Sequence, residues 1–157
     1  MIKKSNIAVV ALFLLIYILP LGARDLVVPD ETRYGEIPRE MITEGDWIVP
    51  HLNGLRYFEK PPLGYWMHAG SILLFGENNF AVRLPSAMAV GLSALLIYLL
   101  VNRVWPNKTK EDGFSATFAA LIFLSCFEVF GLGVTAVLDS LFSFFLTATI
   151  TTTCLPE

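Results

Sequence analysis

The sequence predicts an all-α, polytopic membrane protein with four transmembrane helices, and three observations carry that expectation. Mean hydropathy is +0.61. Of the 157 residues 55% are hydrophobic and only 16% charged. The charges are unevenly placed, crowding between long apolar runs rather than spreading over a solvated surface. A net charge of −3 and a pI near 5.4 offer no basic footprint, which excludes nucleic acid as a partner.

The first apolar run, about 7–23, follows Lys3 and Lys4 and is long enough to span the hydrocarbon core as an uncleaved helix. As a signal peptide it would be overlong and would present Leu21 where the cleavage box prefers a small residue. The second run, about 82–104, is bounded by Arg83 and Arg103. From Phe114 to Leu155 only Glu128 and Asp139 interrupt the apolar character, so two further spans are expected, at about 113–130 and 134–155. Gly131 and Gly133 are expected to turn the chain between them. Cys126 and Cys154 lie in these runs without metal or disulfide spacing and are expected to pack.

Basic residues close to span ends set the orientation. Lys3 and Lys4 before the first span and Arg103, Lys108 and Lys110 after the second place both ends on the cytoplasmic side. Residues 24–80 then form an outer loop. Eight acids fall between Arg24 and Lys60, more than half of the chain's fourteen, which makes this loop the place to look for function. Within "PDETRYGEIPREMITEGD", Tyr34, Ile37, Met41 and Ile42 share one helical face, and Glu36, Glu40 and Glu44 another. That pattern predicts an amphipathic helix on the membrane surface, N-capped by Asp30, stopped at Gly45 and kinked or restarted at Pro38. A second interfacial helix is expected in "YWMHAGSILLFG", which is too short to cross a bilayer. His68, alone on its apolar face, is read as a packed residue, and His51 has no stronger case.

Two carboxylates fall at membrane depth. Glu128, near the outer end of its span, can reach water. Asp139 lies a turn or two inside the outer end of the fourth span, where an unpaired charge costs about 2.5 kcal/mol or more, so it is expected to face a cavity or a partner. The doublet Glu59-Lys60 in "RYFEKPPLGYW" has, by itself, only the reading of exposed charge.

Taken in order, "PDETRYGEIPREMITEGDWIVPHLNGLRYFEKPPLGYW" and "FGENNFAVRLPSA" resemble the first outer loop of bacterial lipid-linked sugar transferases. The chain is similar to GT-C glycosyltransferases of the lipid A 4-amino-4-deoxy-L-arabinose transferase and protein O-mannosyltransferase type, and the likeness runs from the first span to Asp139. It implies the N-terminal transmembrane module of an inverting enzyme in the bacterial inner membrane. The donor would be a polyprenyl-phosphate sugar, and the acceptor a lipid A-like lipid or a protein on the outer, periplasmic face.

Position by position, the resemblance implies that Asp30 is the active-site carboxylate of the outer loop and Asp139 the second acidic position. It implies that Lys60 binds the phosphate of the donor, and that Glu59 helps hold a divalent metal ion with a histidine supplied by a later loop. Arg33, Tyr34 and Tyr57 match residues around the same cavity. The chemistry is sound in its own terms. A leaving phosphate needs its charge stabilised, which a lysine or metal does best where water is scarce. A hydroxyl acceptor needs a carboxylate to take its proton, whereas a phosphate acceptor does not.

Members of this family run to several hundred residues with about a dozen spans. The chain is therefore expected to be the N-terminal part of such an enzyme, inactive alone. A non-catalytic membrane scaffold or assembly subunit, or a small transport component using Asp139, are the alternatives.

Overall fold

The computed structural model describes the backbone of residues 4–104 and 113–154, and the side chains of 6–104 and 116–154. Lys3, Lys108 and Lys110, on which much of the expected orientation rests, lie outside these residues. The chain is predominantly helical. Helix α1 (Lys4–Phe13) continues as a π-helical turn, Leu14–Ile18, and α2 runs Asp30–Glu44. A two-residue hairpin, β1 (His51–Leu52) and β2 (Leu55–Arg56), precedes α3 (Pro62–Phe75) and α4 (Asn79–Val104). Helices α5 (Gly113–Ser125), α6 (Phe127–Gly133) and α7 (Asp139–Cys154) follow.

Helix α4 is the hub against which α7, α5, α3 and α6 pack. Its buried face is built of small residues, among them Ala81, Ser86, Ala87, Ala89, Ser93 and Ala94. Small side chains let helix backbones approach closely where no hydrophobic effect drives them together. At 26 residues, about 39 Å long, α4 is the one described helix both long and apolar enough to cross a membrane by itself.

The other expected spans come out differently. The apolar helix of the first run covers Asn6–Ile18, ending ahead of Pro20, which has no N–H to extend the ladder. The third run is a pair of helices bent by 70° at Cys126, whose backbone is extended there. At the bend the carbonyl of Leu124 accepts a hydrogen bond from the buried Tyr17 hydroxyl at 2.7 Å. Gly131 and Gly133, expected in a turn, belong to α6, and the chain turns after them. Gly133 is there for close approach: a Cβ on it would come within 2.6 Å of the Tyr17 ring. Helix α7 has 16 described residues. Cys126 and Cys154, expected to pack, are both exposed.

Two cores result. Tyr17, Leu21, Ala87, Val90, Ala94 and Leu124 hold the long helices together. Tyr34, Ile37, Met41, Tyr65, Ile72, Ala81, Val82 and Ala136 seat α2 and α3 on the N-terminal end of α4. The segment expected as an outer loop is thus a packed layer. Helix α2 is preceded by a cis Val28–Pro29 bond. It has Pro29 rather than Asp30 at its N-cap, and Asp30 occupies the first helical position. It ends at Gly45 in the left-handed conformation, as the sequence predicts, and Pro38 lies within it.

The hairpin departs from the all-α expectation. Asn53 and Gly54 both have positive φ, 54° and 73°, the conformation a two-residue primed turn demands and that Asn-Gly favours. Glu40, expected on a solvated face, is buried. Its carboxylate accepts from the N–H groups of Asn53 (2.6 Å) and Gly54 (3.2 Å), tying the hairpin to α2. His68 is packed as expected and fully buried. Burial pushes its pKa down to about 4, so the neutral ring donates from Nδ1 to the Val82 carbonyl at 2.7 Å.

Candidate functional site

Helix α2 presents two arginine–carboxylate groups at its N-terminal end, one turned inward and one outward. The inward group centres on Glu31, 1% exposed, and Arg83, fully buried. Arg83 spends all five donors: Nε to Glu31 Oε1 (2.7 Å), Nη2 to Glu31 Oε2 (2.9 Å) and the Asp25 carbonyl (2.7 Å), and Nη1 to the carbonyls of Leu21 (2.7 Å) and Arg24 (2.8 Å). Glu31 also accepts from Arg24 Nη1 (2.7 Å) and from the backbone N–H groups of Val27 (2.8 Å) and Ala136 (2.9 Å). Burial alone would raise its pKa, but Arg83, Arg24 and these two N–H groups together hold it at about 2. The lock joins the end of the first helical run, the start of α2, α4 and the turn before α7.

The outward group brings together four of the residues singled out from the sequence. Arg33 Nη2 donates to Asp30 one helical turn earlier, and its Nη1 donates to the Tyr57 hydroxyl at 2.8 Å and reaches Glu59 Oε2 at 3.4 Å. Tyr57 in turn donates to Glu59. The hairpin makes this possible, because Tyr57 N–H extends its pairing by donating to the Pro50 carbonyl at 2.8 Å, bringing residues 57–59 back beside α2. The Glu59 hydrogen bond, followed by burial, raises the Tyr57 pKa, so that hydroxyl stays protonated.

Lys60 follows directly and is exposed, with no hydrogen bond or ion pair to another described residue. Tyr34 lies behind the group, largely buried, and its pKa is raised chiefly by that burial. Asp139 is the first residue of α7 and is exposed. After burial, the Arg33 charge opposes the rise of the Tyr34 pKa, and Asp139, Glu59 and Tyr57 add to it. Gly64 allows this closeness of α3 and the start of α7, since a Cβ on it would meet Leu138 Cδ2 at 2.1 Å.

Among the described residues no group of three or more His, Cys, Asp or Glu could hold a metal ion. Glu59 is engaged by Arg33 and Tyr57, so a metal there would need ligands from outside the described residues.

Sequence reasoning passed over Glu31, Arg83, Glu40 and Tyr65. Arg83 carried a signal, since a lone cation opening a long apolar run requires an acidic partner.

The sequence profile of dolichyl-phosphate-mannose-protein mannosyltransferases matches residues 4–155. The chain belongs to this family. It is 48% identical over 151 residues to the undecaprenyl phosphate-alpha-4-amino-4-deoxy-L-arabinose arabinosyl transferase of Yersinia enterocolitica, covering 96% of this chain and 26% of that one. It is equally similar, over 149 residues, to the same transferase of Yersinia pestis, with 94% and 26% covered.

Two crystal structures of ArnT from Cupriavidus metallidurans share the fold. The apo state superposes with TM-score 0.85 at 30% identity, covering 95% of this chain and 27% of that one. The state bound to undecaprenyl phosphate gives 0.87 at 28% identity, covering 98% and 27%. The chain thus spans about a quarter of the length of the relatives it matches.

Proposed function

We propose that the chain forms the N-terminal, outer-face part of a transferase that moves a sugar from a polyprenyl-phosphate donor to a lipid A-like lipid or a protein. The observation that carries this reading is the outward group. Arg33 gathers Asp30, Tyr57 and Glu59 at the surface, and the adjacent Lys60 has no partner among the described residues, in a fold shared with a protein crystallised with undecaprenyl phosphate. Lys60 takes the phosphate of the donor. In the transfer, the bond from the sugar's anomeric carbon to the phosphate oxygen breaks, and the electron pair leaves with the polyprenyl phosphate. A bond from the acceptor oxygen to that carbon forms. Lys60 stabilises the charge that accumulates on the leaving phosphate.

Where the acceptor is a hydroxyl, Asp30 or Asp139 takes its proton. Where it is a phosphate, no strong base is required and Asp30 serves to orient Arg33. Glu59 is the one residue here offered to a divalent metal, which would add to the stabilisation of the leaving phosphate.

Four membrane crossings with the N-terminus in the cytoplasm and residues 24–80 in the periplasm belong to the same proposal. A belt of exposed apolar residues on the outer layer supports it. Ile48, Leu55, Phe58, Leu74 and Phe75 are exposed, and Trp47 and Trp66, joined by a 2.7 Å hydrogen bond, flank them. Aromatic residues of this kind favour the membrane interface.

The test is binding of undecaprenyl phosphate to the chain in lipid nanodiscs. The wild type is expected to bind, and Lys60→Ala to bind at least tenfold more weakly with its melting temperature unchanged. Equal affinity in the two would return Lys60 to the role of a solvated surface charge. The purified chain is expected to transfer no sugar by itself, and detectable transfer would refute that part.

A further inference from the structure

Three buried polar atoms have no hydrogen-bond partner among the described residues: Arg33 Nε, the Tyr65 hydroxyl and His68 Nε2. Buried polar groups in folded proteins are nearly always satisfied, so each requires an explanation. His68 is the least informative. Its Nδ1–H already serves the Val82 carbonyl, so its Nε2 is a lone acceptor in an apolar pocket beside the Tyr34 ring, 6.2 Å away. The other two are donors and belong together. Tyr65 is fully buried, its ring lies 6.1 Å from that of Tyr34, and it belongs to the core against which Tyr57, the partner of Arg33 at 2.8 Å, is packed. An unspent O–H and an unspent N–H therefore border the same cluster, one from α3 and one from α2.

The groups around them do not use these donors. The carboxylates of Asp30 and Glu59 accept from Arg33 Nη and from Tyr57, and neither makes a hydrogen bond with Arg33 Nε or the Tyr65 hydroxyl. What is missing is an acceptor oxygen from outside. We propose that Tyr65 is a ligand-positioning residue, donating with Arg33 Nε to an oxygen of the bound polyprenyl-phosphate sugar. The oxygen is either phosphoryl or a sugar hydroxyl, since both accept two donors. This assignment rests on the transferase reading above. It explains why a tyrosine rather than a phenylalanine occupies a place where the hydroxyl gains nothing from the fold itself.

The experiment uses the full 157-residue chain in nanodiscs, titrated with undecaprenyl phosphate and, separately, with undecaprenyl phosphate carrying 4-amino-4-deoxy-L-arabinose. Tyr65→Phe keeps the ring and removes only the unpartnered hydroxyl, so the melting temperature without ligand is expected to stay equal or rise. Affinity is expected to fall about tenfold, equivalent to about 1.4 kcal/mol. A fall with both probes assigns the contact to the phosphoryl oxygen. A fall confined to the sugar-bearing probe assigns it to a hydroxyl. Arg33→Lys, which keeps the charge and removes Nε–H, is expected to weaken the same probe, and it serves as the readout should Tyr65→Phe fail to fold. Unchanged affinity of Tyr65→Phe for both probes, or of Arg33→Lys where that is the readout, overturns the proposal. If the wild type binds while Lys60→Ala does not and Tyr65→Phe binds normally, only the Tyr65 assignment falls. If the wild type binds neither probe, the transferase reading falls with it.

Discussion

Asp30 and Glu31 are neighbours in the first turn of α2, each held by an arginine, yet they live in opposite environments. Glu31 is buried and, with Arg83, satisfies or is satisfied by backbone groups of five residues, Leu21, Arg24, Asp25, Val27 and Ala136. The carboxylate of Asp30 is 62% exposed, and its partner Arg33 retains an unspent N–H. The same two kinds of side chain thus build a fixed joint when every donor and acceptor is used, and a half-satisfied surface group when some are left over. What differs is completeness of hydrogen bonding, not charge.

That contrast is broken most forcefully at the inner group. Arg83→Met leaves Glu31 buried without its main partner and should cost about 3–5 kcal/mol, read as a loss of melting temperature in detergent or nanodiscs. Changing Glu31 to Met as well should restore little. The carbonyls of Leu21, Arg24 and Asp25 and the N–H groups of Val27 and Ala136 would still lack partners. Recovery to wild-type stability in the double variant would mean that the joint matters only as an ion pair.

The pH dependence sharpens the same point. The folded-state pKa of Glu31, about 2, lies below the ordinary 4.5. Its stabilisation is therefore fully present above about pH 5 and is lost as pH falls through 4.5 towards 2. Unfolding by acid should show this loss in the wild type and lack it in Glu31→Gln, which should be less stable than the wild type at neutral pH. A third perturbation acts between the two groups. Gly64→Ala forces a Cβ against Leu138 and should cost about 1–3 kcal/mol while weakening donor binding, because α3 and the start of α7 are pushed apart. The smallest effect on stability belongs to the outer group. Arg33→Ala should change stability by about 0–1 kcal/mol and yet abolish binding of undecaprenyl phosphate. A large destabilisation there would make the two groups alike after all.

Helices α2 and α3 were legible because their signals are local. The apolar face of Tyr34, Ile37 and Met41 predicts α2, and Gly45 predicts its end. The grouping around Arg33 was approached only through the family resemblance, since Glu59 and Lys60 alone look like surface charge. The resemblance named Asp30, Arg33, Tyr57 and Glu59 without saying that Arg33 joins them. The hairpin had a signal in Asn53-Gly54 that periodicity does not register. The bend at Cys126 had none, because neither proline nor glycine marks it. Glu40 was misread and Glu31 passed over for one reason. Helical periodicity assigns carboxylates to a wet face, and only the arrival of distant backbone N–H groups reveals them as buried acceptors. Such partners, 13 and 105 residues away in sequence, leave no local trace.

The inner joint also has a consequence for how the protein is made. Its backbone contributors run from Leu21 to Ala136, so it cannot close while the chain is still emerging from the ribosome at α4. Glu31 must wait for Arg83, and both must wait for the turn before α7. Until then α2 has its acid and its apolar face but no anchor. The surface that gathers Asp30, Arg33 and Glu59 therefore takes its final form only after nearly the whole length described has been made, which makes its assembly a late event in biogenesis.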